Sequence, residues 1–195
     1  MFDFIIGNIV NMKEDYIVIQ NNGIGYRVYT SINSMMNLEM GKKDQMLYTQ
    51  LHVREDGLFI YGFTTEEEMD MFNLLLRVSK IGPKIALGTL STLTPNQIRL
   101  AIHNKDLDTL CKAPGIGKKT AERIVVELKD RIGEVDLDDV ETIEILANGH
   151  DEAIEGLMSL GYSRFEVEKV IRKMDINGME VEDIIREGLK QLSKS

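Results

Sequence analysis

Residues 110–132 run LCKAPGIGKKTAERIVVELKDRI, and the opening of this stretch has the composition of a phosphate grip. A Pro114-Gly115-Ile116-Gly117 turn leads directly into Lys118, Lys119 and Thr120, then into an amphipathic helix predicted over about 118–131. Glycine lets the backbone pass close to an anion, and the first turn of the following helix offers N–H groups with no intrahelical acceptor. The helix dipole and the adjacent lysines favour negative charge at the same point. A nucleotide or a nucleic-acid backbone would fit this chemistry. A nucleotide P-loop needs a glycine five residues before its Gly-Lys pair and Ser or Thr directly after it. Those positions are Lys112 and Lys119 here, and no strand precedes the turn, so an ATP site is disfavoured.

A second copy favours the nucleic-acid backbone. VSKIGPKIAL (78–87) repeats the frame of CKAPGIGKKTAERI (111–124), with Gly82 and Gly117 35 positions apart. Each copy joins two predicted helices through a tight glycine-containing turn, which is the helix-hairpin-helix pattern. Two such turns can hold both strands of a duplex across the minor groove. The contacts go to phosphate, so binding should ignore base sequence and weaken steeply with salt. Ile81, Ile85, Ile116, Ala121 and Ile124 occupy the apolar positions of the repeat and read as core.

The elements that must position these turns are legible on either side. Upstream, FDFIIGNIV (2–10), EDYIVIQ (14–20), GYRVYTS (25–31), QMLYTQLHV (45–53) and GLFIYGF (57–63) read as strands. Asn21-Asn22-Gly23 forms the turn between the second and third, and INSMMNL forms a short helix after the third. Five short strands with one helix in that place predict an OB-fold barrel. From residue 64 the pattern is helical. Thr64 or Thr65, with Glu67 or Glu68 three positions on, marks one helix start, and Thr94-Pro95-Asn96-Gln97 marks another. The acidic stretch 133–149 is expected to be a flexible linker, and 150–195 a bundle of three short helices.

The predicted domains are therefore 1–63, 64–132 and 150–195, in a multi-domain α+β chain. The net charge of -9 is the wrong sign for a polyanion binder until it is divided along the chain. Residues 1–71 carry 5 Lys/Arg against 11 Asp/Glu, 72–131 carry 11 against 5, and 132–195 carry 7 against 16. The one basic block contains both glycine turns. A single cysteine, Cys111, excludes an internal disulfide and a cysteine-cluster metal site, and His52, His103 and His150 are scattered. No apolar run is long enough to span a membrane, and the N-terminus lacks the basic start of a signal peptide, so a cytoplasmic protein is expected.

Four segments together carry a family resemblance: HVREDGLFIYGF (52–63), IGPKIAL (81–87), the 110–132 stretch, and LMSLGYSRFEVEKVI (157–171). The chain resembles, over essentially its full length, the RuvA family of Holliday junction recognition subunits in the bacterial branch-migration machine. The resemblance implies an N-terminal OB-fold, a tandem helix-hairpin-helix domain, and a flexible link to a UBA-like three-helix C-terminal domain. It implies a homotetramer, or a pair of tetramers, that holds a four-way DNA junction open and flat during recombination, DNA repair and the SOS response. The C-terminal domain is expected to dock on the hexameric AAA+ ATPase RuvB, and the resolvase RuvC to act on the same complex. The chain itself is expected to be no enzyme and to need no cofactor or metal.

Position by position, Glu55 and Asp56 match the family's acidic pin at the junction centre, with Arg54 beside them as a candidate phosphate contact. Carboxylates gathered about a fourfold axis would repel phosphates there and favour separated strands. Without the resemblance, the pair reads as a solvated turn between strands. Lys80, Gly82, Lys84, Gly115, Gly117, Lys118, Lys119 and Thr120 match the phosphate contacts, and Arg123 lies one turn further along. The first hairpin departs from the family's Gly-x-Gly: Lys80 stands at its first position, which adds a cation at some cost in turn freedom. Leu157, Leu160, Gly161 and Tyr162 are the candidates for contact with the motor, although Leu157 equally suits the core of its own bundle. A nuclease or glycosylase would need a metal-binding carboxylate cluster or a catalytic Asp beside a pocket. Only the Glu55–Asp56 pair offers a start to that. An adaptor using its hairpins for protein contacts would lack the steep salt dependence.

Overall fold

The structure, a computed structural model, describes residues 2–132, 152–162, 164–171, 174 and 179–192. The predicted linker 133–149 lies outside them. The chain divides into two compact units, 1–135 and 136–195.

The first unit opens with β1 (Phe4–Met12), β2 (Tyr16–Asn21), β3 (Ile24–Tyr29), α1 (Ile32–Met36), β4 (Gln45–Arg54) and β5 (Gly57–Phe63). The strands close into a barrel in the order β1-β2-β3-β5-β4, with β1 antiparallel to β4 and β3 parallel to β5. This is the predicted OB-type barrel. Alternation along the strands points Ile5 and Ile9, Ile17 and Ile19, and Leu47 inward, and all five are buried. Asn22 and Gly23 link β2 to β3 with φ of 47° and 85°, the positive values a two-residue hairpin turn demands.

Helices α2 (Glu66–Arg77), α3 (Pro83–Thr92), α4 (Pro95–Asn104), α5 (Leu107–Cys111) and α6 (Lys118–Leu128) follow. Thr65 caps α2 by accepting from Glu68 N, and Thr94 with Gln97 forms the full reciprocal capping box on α4, where Pro95 takes the first helical position. The barrel and the helices share one core. Tyr61 and Phe63 of β5 pack with Phe72 and Leu75 of α2, Leu90 of α3, Ile102 of α4, and Ile124 and Leu128 of α6. The small helix α1 adds a polar tie. Ser31 Oγ and Ser34 Oγ both donate to the buried Glu68 carboxylate, the latter at 2.5 Å, while Ile32 N donates to Ser91 Oγ at 3.0 Å. Glu68 thus does more than open a helix. It anchors the barrel to the helices that carry the glycine turns.

In the second unit, α7 (152–159), α8 (Arg164–Ile171) and α9 (Val181–Leu192) enclose their own core, with Ala153, Ile154, Leu157, Val167, Ile171 and Ile184 buried.

Candidate nucleic-acid interface

The repeat seen in the sequence is a repeat in space. Val78 and Ala113 are buried at the start of each turn, Ile81 and Ile116 are buried within it, and Ala86 and Ala121 are buried in the helix that follows. Ile81 N donates to Val78 O, and Ile116 N to Ala113 O, both at 3.1 Å. Ala86 N donates to Gly82 O, and Ala121 N to Gly117 O, both at 3.0 Å. Of the apolar residues predicted as core, Ile81, Ile116, Ala121 and Ile124 are buried and Ile85 is half-buried against them, while the lysines face outward.

The N-termini of α3 and α6 differ from the others in the unit. Helices α1, α2, α4 and α5 each have a side-chain cap, from Ser31, Thr65, Thr94 and Asp106. Helices α3 and α6 begin at Gly82 and Gly117, with no side-chain cap. Their φ values, -98° and -96°, are open to any residue, and a Cβ at either position would meet nothing within 4 Å. Neither the backbone nor the packing of this chain requires glycine there. Its absence of a side chain leaves the first-turn N–H groups open to an approaching anion.

Around these termini Lys80, Lys84, Gly115, Gly117, Lys118 and Lys119 are exposed, and Gly82, Thr120 and Arg123 are half-buried. Thr120 N also donates to Gly117 O at 2.8 Å, which tightens the first turn of α6. Lys80 has φ of 71° and its repeat partner Gly115 has φ of 85°, so the same left-handed turn is made by lysine in one copy and glycine in the other. The two hairpins seat on each other reciprocally. Pro114 lies against Gly88 of α3 and Gly115 against Ile85, while Ser79 lies against Arg123 and Glu127 of α6. Ser79 and Glu127 carry no signal in the sequence; only the repeat register, which sets 79 against 114, hints at the first.

Glu55 and Asp56 form the two-residue turn between β4 and β5, where Arg54 pairs with Gly57, and both are exposed. Arg54 Nε stands 3.9 Å from Asp56 Oδ1, and its guanidinium lies 5.9 Å from the Phe59 ring centre. Val53 and Leu58, paired across the strands just below the turn, are 73% and 71% exposed. The base of this ribbon is held by ring contacts among Tyr29, His52, Phe59, Tyr61 and Phe72. Burial, and then the charge of Arg54, hold His52 below the usual imidazole value, while burial raises Tyr61. Among the described residues, no group of three or more His, Cys, Asp or Glu is placed to hold a metal ion. No helix among them is long and apolar enough to cross a membrane.

In the second unit the candidates separate. Leu160 is 58% exposed, Gly161 follows α7 with φ of 100°, and Tyr162 is half-buried against the core. Leu157 is fully buried, which corrects its place among the surface candidates: helical spacing sets it with Ala153 and Ile154 on the inner face.

Comparison with known proteins agrees with this geometry. Residues 1–62 match a family model described as "RuvA N terminal domain", 72–130 one described as "SAM-like Helix-hairpin-helix tandem", and 148–193 one described as "RuvA, C-terminal domain". A protein of Alkaliphilus oremlandii named Holliday junction branch migration complex subunit RuvA is 44% identical over 197 residues, covering 100% of each chain. Proteins of the same name from Clostridium botulinum and Clostridium tetani are 45% identical over 199 residues and 43% identical over 196. The first covers 100% of each chain, the second 98% of this chain and 99% of its own.

Proposed function

Because the chain belongs to the RuvA family, we propose that it is a Holliday junction recognition scaffold of the branch-migration complex, acting in recombination and DNA repair. The observation that carries this reading is the pair of glycine N-termini, Gly82 and Gly117, uncapped and open to solvent within the one basic block. Phosphate oxygens accept from the first-turn N–H groups of α3 and α6. Lys80, Lys84, Lys118 and Lys119 add charge, with Thr120 and Arg123 alongside and Arg54 nearer the crossover. No base edge is read, so binding is indifferent to sequence, and the logarithm of affinity falls with log salt by about 0.9 per phosphate contacted.

Glu55 and Asp56 project from the β4–β5 turn as a pin. Set around the axis of a homotetramer or octamer, they repel phosphates at the crossover and keep the junction open and planar. Residues 1–63 then supply the pin, 64–132 the grip, 133–149 a connection, and 150–195 the surface for the motor. At that surface, Leu160 and Tyr162 beside Gly161 present apolar area to RuvB, which hydrolyses ATP, and RuvC joins the same complex. The chain is an accessory DNA-binding subunit of the cytoplasm, not an enzyme.

The test is a titration against a four-way junction and a linear duplex of matched sequence, in moderate salt with Mg²⁺. Strong junction preference, intact strands, and lost binding on Lys118→Ala with Lys119→Ala are expected. Equal affinity for both substrates would remove the roles given to Glu55 and Asp56, and strand cleavage would overturn the non-enzymatic reading.

A further inference from the structure

We propose that Glu127 is a positioning residue for DNA binding. Through Ser79 it orients the Arg123 guanidinium beside the turn bearing Lys80, so that both cations face the same duplex. The inference rests on the phosphate-binding reading above and assigns a role to a residue that the reading leaves unused.

Residues 119, 123 and 127 follow one another at one-turn intervals along α6, so an acid ends a stripe that Lys119 and Arg123 begin. An exposed carboxylate beside a phosphate-binding surface is electrostatically unfavourable for that binding. Its contacts account for its presence. Ser79 N donates to Glu127 Oε2 at 3.3 Å, and Ser79 Oγ donates to Glu127 Oε1 at 3.2 Å. The serine hydroxyl, its proton so committed, accepts from Arg123 Nη1 at 3.4 Å. Ser79 directly precedes Lys80, the residue held at φ of 71°. A single carboxylate in the second hairpin thus holds the turn of the first hairpin and, through the serine, a cation of its own helix. These bonds are long and solvent-exposed, so they add little to fold stability. What they supply is placement of a side chain that would otherwise sample many rotamers before each encounter.

The test turns on a sign. If Glu127 were only a nearby negative charge, Glu127→Gln would tighten DNA binding. The positioning role predicts the reverse: affinity for duplex falls roughly three- to tenfold, as for one side chain no longer held in place. The salt slope falls by about 0.9, the loss of one phosphate contact. Ser79→Ala, which keeps the repulsive carboxylate, should lose at least as much, the double variant should match Glu127→Gln, and Ser79→Thr, which keeps the hydroxyl, should bind as the parent does. Thermal midpoint and sedimentation are measured on every variant and should not move. Tighter binding by Glu127→Gln would overturn the proposal, as would a loss of affinity that tracks a loss of thermal stability. An unchanged slope in Arg123→Ala, with Lys118→Ala and Lys119→Ala still abolishing binding, would sink the positioning role alone. Wild-type binding by the lysine variants would sink the phosphate reading itself.

Discussion

The two hairpins of the first unit share one backbone frame and support it by different means. In the second, the left-handed position is glycine, and the turn seats by packing. Pro114 is so close to Gly88 that a methyl added there would come within 3.1 Å of the proline ring, and Gly115 rests on Ile85. In the first, the left-handed position is Lys80, and Ser79 seats the turn through hydrogen bonds to α6. The entry helix of the first is capped by Thr65 and that of the second by Asp106. What stays the same in both copies is the part a phosphate would meet: a glycine with open space around it, an uncapped helix start, and a lysine at 84 or 119. The supports have diverged while the open glycine, the uncapped start and the lysine two positions on have not; around them Pro83, which has no N–H, stands where the second copy has Lys118.

The largest effect should come from filling the shared space. Gly82→Val and Gly117→Val both leave φ acceptable, and the new Cβ has no neighbour within 4 Å, so each variant should fold, with losses of about 1 kcal/mol or less in a denaturant melt. Each should cost DNA affinity on the order of tenfold or more, from lost charge-assisted bonds. A valine variant that binds normally would break the equivalence of the two turns. Next is Gly115→Ala, which forces a side chain to φ of 85° and should destabilise the unit by about 1–2 kcal/mol, again read by denaturant melt.

The mirror-image change, Lys80→Gly, should do the opposite. Relief of the left-handed strain is offset in part by the greater freedom of glycine in the unfolded chain, leaving a gain of up to about 1 kcal/mol. Its salt slope for duplex binding should fall by about 0.9 as the cation is lost. Greater stability together with unchanged DNA binding would show that Lys80 contacts no phosphate.

The smallest effect distinguishes the caps. Hydrogen bonds from Thr109, first its side chain and then its backbone, hold Asp106 below the usual carboxylate value. A depressed folded value means that the cap's contribution is complete above about 3.8, the ordinary aspartate value, and is lost as pH falls through the folded value. In an NMR acid titration the amide of Thr109 should shift below that point while the amide of Gln97, which donates to the Thr94 hydroxyl, shows no matching step. Asp106→Asn should remove the difference.

Much of this architecture could be read from the chain because it is governed by neighbours in sequence. The β-branched run in YIVIQ favours extended backbone. Thr94 reaches Gln97 only three residues away, and Asn22-Gly23 bends by its own backbone preference. The repeat of Gly82 and Gly117 at 35 residues, inside the basic block, points to phosphate by residue type and spacing alone. Leu157 was ambiguous because a helix pattern of so few turns leaves more than one apolar face open.

What the tertiary structure alone decided lies between residues far apart in the chain. Ser79 and Glu127 are 48 positions apart, and Ser34 and Glu68 are 34 apart, so no local pattern marks either pair. The pairing of Lys80 with Gly115 as the same left-handed position follows from the shared frame, but the frame does not say that lysine adopts it. Local chain physics determined which segments curl, extend or turn, since those preferences act within a few residues. Which carboxylate is buried against two serines, and which holds a serine and through it an arginine, depended on packing, because only the closed core brings those groups within hydrogen-bonding distance.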